Sequence, residues 1–194
     1  MKALIVSNLV QSITAKEAFA QSSIDKIIEL TEWTQNTLES GGKLLIFGNG
    51  GSAADAQHLA AEFVNRFLIN RRPLPALALT TDTSVITSIG NDFSFDVIFA
   101  KQVEAFGKPE DLALGISTSG TSTNVVKAME AAEKIGMKTV ALTGGTKRPG
   151  GDLAEICDMV LNVPSDETPH IQEAHLWVEH MLCEIVEMKM FADQ

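Results

Sequence analysis

Short, continuously apolar runs alternate with longer amphipathic stretches through most of the chain. Five such runs stand at 43–47, 76–80, 111–117, 138–144 and 158–164. Continuous apolar character is typical of strands buried on both faces of a parallel sheet. Apolar positions at helical spacing predict helices at 53–69, 95–106, 122–135 and 168–191. This alternation predicts an α/β fold, namely a three-layer αβα sandwich around a five-stranded parallel sheet.

The chain before the first run has helical patterning and no strand signal. Apolar residues recur at helical spacing from Ile24 to Leu38, and Ser22 and Ser23 are candidate caps at the start of that helix. The glycine pair at 41–42 ends it.

We therefore divide the chain into N-terminal helices at 1–40 and an α/β domain at 41–194. Because the N-terminal helices have no evident role in closing the sheet, we expect them to pack between subunits and to make an oligomer.

Composition and charge narrow the function classes. The net charge is -10 and the pI is about 4.8, which argues against a nucleic-acid or anionic-membrane surface, since either needs a basic patch. Cys157 and Cys183 lack CxxC spacing and are too few for a disulfide scaffold, so they indicate reduced thiols of a cytoplasmic protein. No apolar run approaches 18 residues, so we expect no membrane span.

A glycine-rich loop, GNGGSA at 48–53, follows the first apolar run. It fits the dinucleotide fingerprint G-x-G-x-x-A, but the acidic residue expected about 20 positions later is missing, and Asp82 comes too late. Alternatively, the loop is a tight turn, or its backbone N–H groups approach a small polar ligand while Ser52 caps the next helix. We favour the ligand-binding interpretation because the glycines stand at the end of a strand, where ligands bind in such sheets.

A second loop, STSGTSTN at 117–124, carries six hydroxyl side chains after the third apolar run. Free N–H groups and the dipole at the start of the following helix suit an anion. No Lys follows in Walker spacing, so the loop is not a nucleotide P-loop. A capping turn needs only one or two hydroxyls, and we therefore favour a site for the phosphate of a small molecule.

Two helices carry candidate acid–base or metal-binding side chains. His58 and Glu62 are four residues apart on an alanine-rich helix and share one face, and we favour a buried Glu62 over a surface ion pair. Gln172 and His180 lie two turns apart on the last helix. The four side chains could converge on a metal ion or act as an acid–base set. His170 and His175 are interpreted as structural.

Four segments together resemble the phosphoheptose isomerases (sedoheptulose 7-phosphate isomerases) of the sugar-isomerase (SIS) domain family. They are GNGGSAADAQHLAAE at 48–62, GNDF at 90–93, GISTSGTS at 115–122, and IQEAH at 171–175 with a further histidine downstream. The resemblance covers nearly the whole chain. It implies that 41–194 is a SIS phosphosugar-binding domain, a flavodoxin-like or Rossmann-like variant of the predicted sandwich.

The resemblance also implies roles for individual residues. Glu62 corresponds to the catalytic base and His180 to its acid partner. The positions that correspond to substrate-binding residues are Asn49, Gly50, Gly51, Ser52, Glu62, Asn91, Asp92, Ser117, Thr118, Ser119, Ser122 and Gln172. The positions that correspond to zinc ligands are His58, Glu62, Gln172 and His180. The resemblance implies no nucleotide cofactor.

The implied reaction is a ketose–aldose isomerisation. Sedoheptulose 7-phosphate would become D-glycero-D-manno-heptose 7-phosphate through an enediol, as the first step towards heptose for lipopolysaccharide or related glycans. The resemblance further implies a homotetramer with active sites shared between subunits.

Two alternatives remain open at the level of sequence. One is a non-catalytic SIS-domain regulator that binds a partner protein in replication initiation. That branch lacks the residues matching Glu62 and His180, and because both are present here, we favour the enzyme. The other alternative is an isomerase of a different phosphosugar, since the residues do not fix the length or stereochemistry of the sugar.

Overall fold

The computed structural model describes residues 1–192, which form a five-stranded sheet flanked by six α-helices. The strands are β1 Leu44–Gly48, β2 Ala76–Ala78, β3 Leu112–Ile116, β4 Lys138–Gly144 and β5 Met159–Val163. The helices are α1 Lys2–Glu39, α2 Gly51–Val64, α3 Thr83–Asp92, α4 Ala100–Phe106, α5 Thr123–Ile135 and α6 Thr168–Phe191. Within these residues, no helix is both long enough and apolar enough to cross a bilayer.

All neighbouring strands pair in parallel, in the order β2-β1-β3-β4-β5, which confirms the predicted sandwich. Successive side chains of each strand enter opposite faces of the sheet. Leu44 and Ile46 belong to a core shared with α1, α2 and α6, whereas Leu45 and Phe47 belong to the core beneath α4 and α5. The continuous apolar runs therefore reflect burial on both faces.

The N-terminal segment is one continuous helix of 38 residues. The prediction that Ser22 and Ser23 cap a second helix is wrong, because both lie inside α1 and the Ser22 hydroxyl donates to the carbonyl of Phe19. From Ala15 onward, one face of α1 enters the sheet's core, where Phe19 packs edge-on against Trp177 of α6 at 6.2 Å between ring centroids. The first turns of α1, from Leu4 to Ile13, leave their large apolar side chains exposed.

Two predicted helices need correction, and a further helix was not predicted. The helix expected at 53–69 begins at Gly51 and ends at Val64, and an irregular loop at 65–75 follows it. The stretch at 95–106 opens with a short 3₁₀ turn before α4 begins. Helix α3 was not predicted: its ten residues are rich in β-branched side chains and serine, which are poor helix formers, although Asp82 caps it by accepting from the N–H of Val85.

Candidate active site

The sheet places the two polar loops side by side. The order of the strands reverses between β1 and β3, and ligands bind in α/β sheets outside the carboxyl ends of the strands at such a point. A cavity of about 310 Å³ opens between the two loops. Its lining residues are Asn49, Gly50, Gly51, Ser52, Ile116, Ser117, Thr118, Ser122, Thr168 and Gln172.

The glycine loop has the backbone that its sequence requires. Gly50 has a φ of +57°, which favours glycine, and its residue position is the N-cap of α2. A Cβ at Gly51 would collide with the side-chain amide of Gln172, so glycine permits the close approach of α6. The prediction that Ser52 is the cap is wrong, because Ser52 lies buried within the first turn of α2.

Asn49 joins the two loops through a partner that the sequence did not reveal. The amides of Asn49 and Asn124 exchange two hydrogen bonds, at 2.8 and 2.9 Å. Asn124 lies in the first turn of α5, directly after the hydroxyl loop. This reciprocal pair fixes the spacing between the glycine loop and the hydroxyl loop, and so the width of the cavity.

Hydroxyl groups line the second loop, as predicted. The hydroxyls of Ser117 and Ser122 lie 3.0 Å apart at the cavity wall. Ser119 is exposed and accepts from the N–H of Thr121 at 3.2 Å. Ser122 is the N-cap of α5 but makes no side-chain cap bond, which leaves its hydroxyl available to a ligand. The lining residues of the cavity carry no formal charge, so an anion there would depend on hydroxyls, amides and the helix dipole.

Three of the four predicted acid–base or metal-binding side chains come together between α2 and α6, about two turns along each helix from the residues that line this cavity. The Nε2 atoms of His58 and His180 lie 2.9 Å apart, which joins α2 to α6. Glu62 Oε1 lies 3.7 Å from His58 Nε2. The expectation of a buried Glu62 is wrong for the single chain: its side chain is 24% exposed and that of His58 is 41% exposed. The two side chains instead form the partly exposed i,i+4 pair that was the less favoured alternative.

Gln172 does not join this group. It lies against Gly51 of the glycine loop at the cavity wall, two turns before His180 along α6. Within residues 1–192, no three His, Cys, Asp or Glu side chains are arranged as a metal-binding group.

Asn91 and Asp92 also lie apart from the cavity. They end α3, are exposed, and the amide of Asn91 donates to the carboxylate of Asp92 at 2.8 Å.

Two acidic residues near His58, Asp55 and Glu179, have raised pKa values, and neither was predicted as a site residue. Burial raises the pKa of Asp55, one turn before His58, although the nearby His58 opposes that shift. Burial, together with the proximity of Asp55, also raises the pKa of Glu179 well above its usual value. The sequence signal for Glu179 was its position in an apolar face of α6, where an acid is rarely fully buried without a partner.

Comparisons with known proteins identify the family of the chain. The sequence profile of the SIS domain matches residues 9–144. The phosphoheptose isomerase of Geotalea daltonii is 50% identical over 178 residues, which cover 92% of this chain and 91% of that protein.

Two solved structures of phosphoheptose isomerases are equally similar in sequence, at 42% identity. The protein from Francisella tularensis superposes with a TM-score of 0.91 and covers 97% of this chain and 100% of its own. The protein from Neisseria gonorrhoeae has a TM-score of 0.90, with 96% and 98% covered. The chain therefore belongs to the SIS-domain family and, within it, to the phosphoheptose isomerases.

Proposed function

We propose that the protein converts sedoheptulose 7-phosphate to D-glycero-D-manno-heptose 7-phosphate, an early precursor of glycan heptose. The observation that carries this proposal is the convergence of His58, Glu62 and His180 on α2 and α6, the two helices whose N-terminal residues also line the hydroxyl-rich cavity. Names of the relatives support the same activity. An SIS-domain regulator would need neither the carboxylate nor the imidazole at this place.

Glu62 is the proposed base. Its carboxylate removes a proton from C1 of the ketose, which gives an enediol, and returns a proton to C2, which gives the aldose. His180 donates a proton to the carbonyl oxygen at C2 and then takes the hydroxyl proton from C1 as the new carbonyl forms, which restores its starting state. General acid–base catalysis of this kind contributes typically 10²–10⁴-fold to the rate.

The hydroxyl loop is the proposed phosphate site. Ser117, Thr118, Ser119 and Ser122 supply hydroxyl donors, and the first turn of α5 supplies free N–H groups. The glycine loop, Asn49 to Ser52, would contact the sugar, with Gln172 above it. A phosphate held at this end leaves the other end of the sugar to reach Glu62. Asn91 and Asp92 would take part only through a movement of α3 or through another subunit.

We also propose a zinc ion at His58, Glu62, Gln172 and His180. The donor types of His58, Glu62 and His180 suit zinc, and these three side chains are neighbours. They would have to close around the ion, and Gln172 would have to leave Gly51 to join them. When bound, zinc supplies Lewis-acid polarisation of a carbonyl oxygen. Elemental analysis of the purified protein and assays after chelation and zinc addition test this. Full activity of metal-free protein would reject a catalytic zinc.

The exposed apolar face of α1 supports the proposed homotetramer. The side chains of Leu4, Ile5 and Leu9 are 67%, 67% and 59% exposed in the single chain. An apolar surface of this kind is typical of a protein interface. A second copy of the chain would cover it, and we place this assembly in the cytoplasm.

A panel of ketose phosphates of different lengths tests the proposed function. Each is incubated with the protein, and formation of the aldose is followed. Turnover of the seven-carbon ketose phosphate above the others supports the proposal. Preference for a shorter sugar would indicate a different phosphosugar isomerase, and no turnover of any sugar would favour a regulator.

A further inference from the structure

We propose that Glu187 and Arg71 are positioning residues for the isomerisation. They fix the loop at 65–75 so that Phe67 stacks on the ring of His180 and the last turn of α2 holds Glu62 in place. The inference rests on the proposed function, because it concerns the same two catalytic residues. Neither Glu187 nor Arg71 lines the cavity between the loops.

Glu187 organises the backbone of the loop directly. Its carboxylate accepts hydrogen bonds from the N–H groups of Phe67, Leu68 and Ile69, at 2.7, 2.7 and 2.8 Å. Three consecutive N–H groups thus converge on one side chain. Because the side chain of Glu187 is only 1% exposed, water does not compete for these bonds. These bonds therefore fix the position of the loop backbone relative to α6.

Arg71 completes the arrangement from the other side. Its Nε donates to Glu187 at 2.7 Å, and its side chain is also 1% exposed. Its two terminal nitrogens donate to the carbonyls of Phe63 and Glu62, both at 2.9 Å. These carbonyls lie in the last turn of α2, where backbone acceptors lack helical partners. One guanidinium therefore bonds to Glu187 and to the backbone of Glu62.

The charges in this cluster are well compensated. Burial by itself disfavours an ionised Glu187, but the three N–H donors and Arg71 outweigh it, and the pKa of Glu187 lies below its usual value. The carboxylate is thus ionised when the enzyme works near neutral pH. An ionised acceptor and a planar guanidinium give short, directional bonds, which suits a rigid support.

The link to the catalytic residue is Phe67. Its ring lies 5.5 Å from the ring of His180 between centroids, with an angle of 26° between the planes. Through its Nε2, His180 also contacts Nε2 of His58 at 2.9 Å. His180 is thus held between Phe67 and His58. Displacement of the 65–75 loop would free one side of the imidazole that donates the proton.

A purely structural role would stabilise the fold without affecting His180. The two roles are separated by replacing Phe67, which keeps the buried ion pair. Phe67→Leu removes the stacking ring, and Phe67→Tyr retains it. We expect kcat of Phe67→Leu to fall about 10- to 100-fold, as for a catalytic group displaced by about 1 Å, with binding of inorganic phosphate unchanged. Phe67→Tyr should restore most of kcat.

Glu187→Gln tests the support itself, with Glu184→Gln on the same helix as the matched control. We expect Glu187→Gln to lower kcat while inorganic phosphate still binds, and Glu184→Gln to leave both unchanged. In the double variant with Phe67→Leu, the loss should be smaller than the product of the two single losses, because both act through His180. Fully multiplicative losses would overturn the proposal. Should Glu187→Gln not fold, Arg71→Lys takes its place in the cycle.

A spectroscopic measurement keeps the test independent of turnover. The chain has four histidines, so histidine-selective labelling gives a simple NMR spectrum, and His180→Gln assigns the signal of His180. We expect Phe67→Leu and Glu187→Gln each to shift that signal, since both disturb the stacked ring, and Phe67→Tyr to preserve it. An unshifted His180 signal in a folded Phe67→Leu variant would overturn the inference. If the wild type turns over no sugar but these shifts occur, the proposed function fails while the positioning stands.

Discussion

The imidazoles of His58 and His180 face each other with their Nε2 atoms 2.9 Å apart. Such a contact requires one nitrogen to donate and the other to accept, so both cannot carry a proton at these atoms. The pair joins α2, which carries Glu62, to α6, which carries Gln172. The relative position of these two helices therefore decides whether Glu62, the proposed base, and His180, the proposed acid, can act on one sugar.

Ser122→Ala tests the phosphate site. Loss of a hydrogen bond to a charged group costs about 1.5–3 kcal/mol, so we expect KM for the sugar phosphate to rise about 10- to 100-fold. Thermal stability should fall only modestly, because the hydroxyl of Ser122 makes no cap bond to α5 and the variant loses one hydrogen bond, to the hydroxyl of Ser117. Exposed Thr123→Ala is the control. An unchanged KM and unchanged competition by inorganic phosphate would contradict the assignment.

The exposed apolar side chains in the first turns of α1 predict that copies of the chain form an oligomer. Ile5→Asp combined with Leu9→Asp places two charges on the exposed apolar face and should dissociate the oligomer to monomers. Ser7→Asp, also exposed on α1, serves as the control. Light scattering at micromolar concentration measures the mass of each variant. A wild type that is already monomeric would disprove both the tetramer and shared active sites.

Buried His175 predicts a pH dependence of stability. Its Nε2 lies 2.9 Å from the carbonyl of Thr143, and burial lowers its pKa from 6.5 to about 4, although this hydrogen bond opposes the shift. The unfolded chain therefore takes up a proton below about pH 6.5, whereas the folded chain does so only near pH 4. The stability contribution is present above pH 6.5 and is lost as the pH falls.

Denaturant titrations from pH 7 to pH 4 measure this effect. Wild type should lose about 3 kcal/mol more of its unfolding free energy than His175→Gln over that range. Gln keeps a donor near the position of Nε2 but does not titrate. Equal losses in the two proteins would show that His175 is accessible to protons in the folded state.

Local sequence signals account for most of the fold. The strands were predictable because burial on both faces makes runs such as 43–47 and 138–144 continuously apolar. The single helix at 2–39 was misjudged at Ser22, because a serine inside a long helix resembles a cap when its neighbours are polar. Helix α3 was missed because it is short and rich in β-branched residues, which favour strands, and only Asp82 signalled its start.

The candidate site was predictable where its residues stand close together in sequence. The glycine and hydroxyl loops, and His58 with Glu62, are local patterns. The amide pair of Asn49 and Asn124, and the support of the 65–75 loop by Glu187, join residues 75 and about 120 positions apart, so only the fold reveals them. The exposure of Glu62 was misjudged for the same reason, since its alanine neighbours indicate that α2 packs closely but not how far other elements cover the Glu62 side chain.

The most direct test of the account follows the C2 proton in D₂O. Wild type acting on sedoheptulose 7-phosphate should place solvent deuterium at C2 of the aldose, because Glu62 exchanges its proton with water during the enediol step. Glu62→Gln should keep phosphate binding and lose about 10²–10⁴-fold in kcat, while exposed Glu104→Gln keeps full activity. A fully active Glu62→Gln variant, together with a product free of deuterium, would contradict the proposed mechanism.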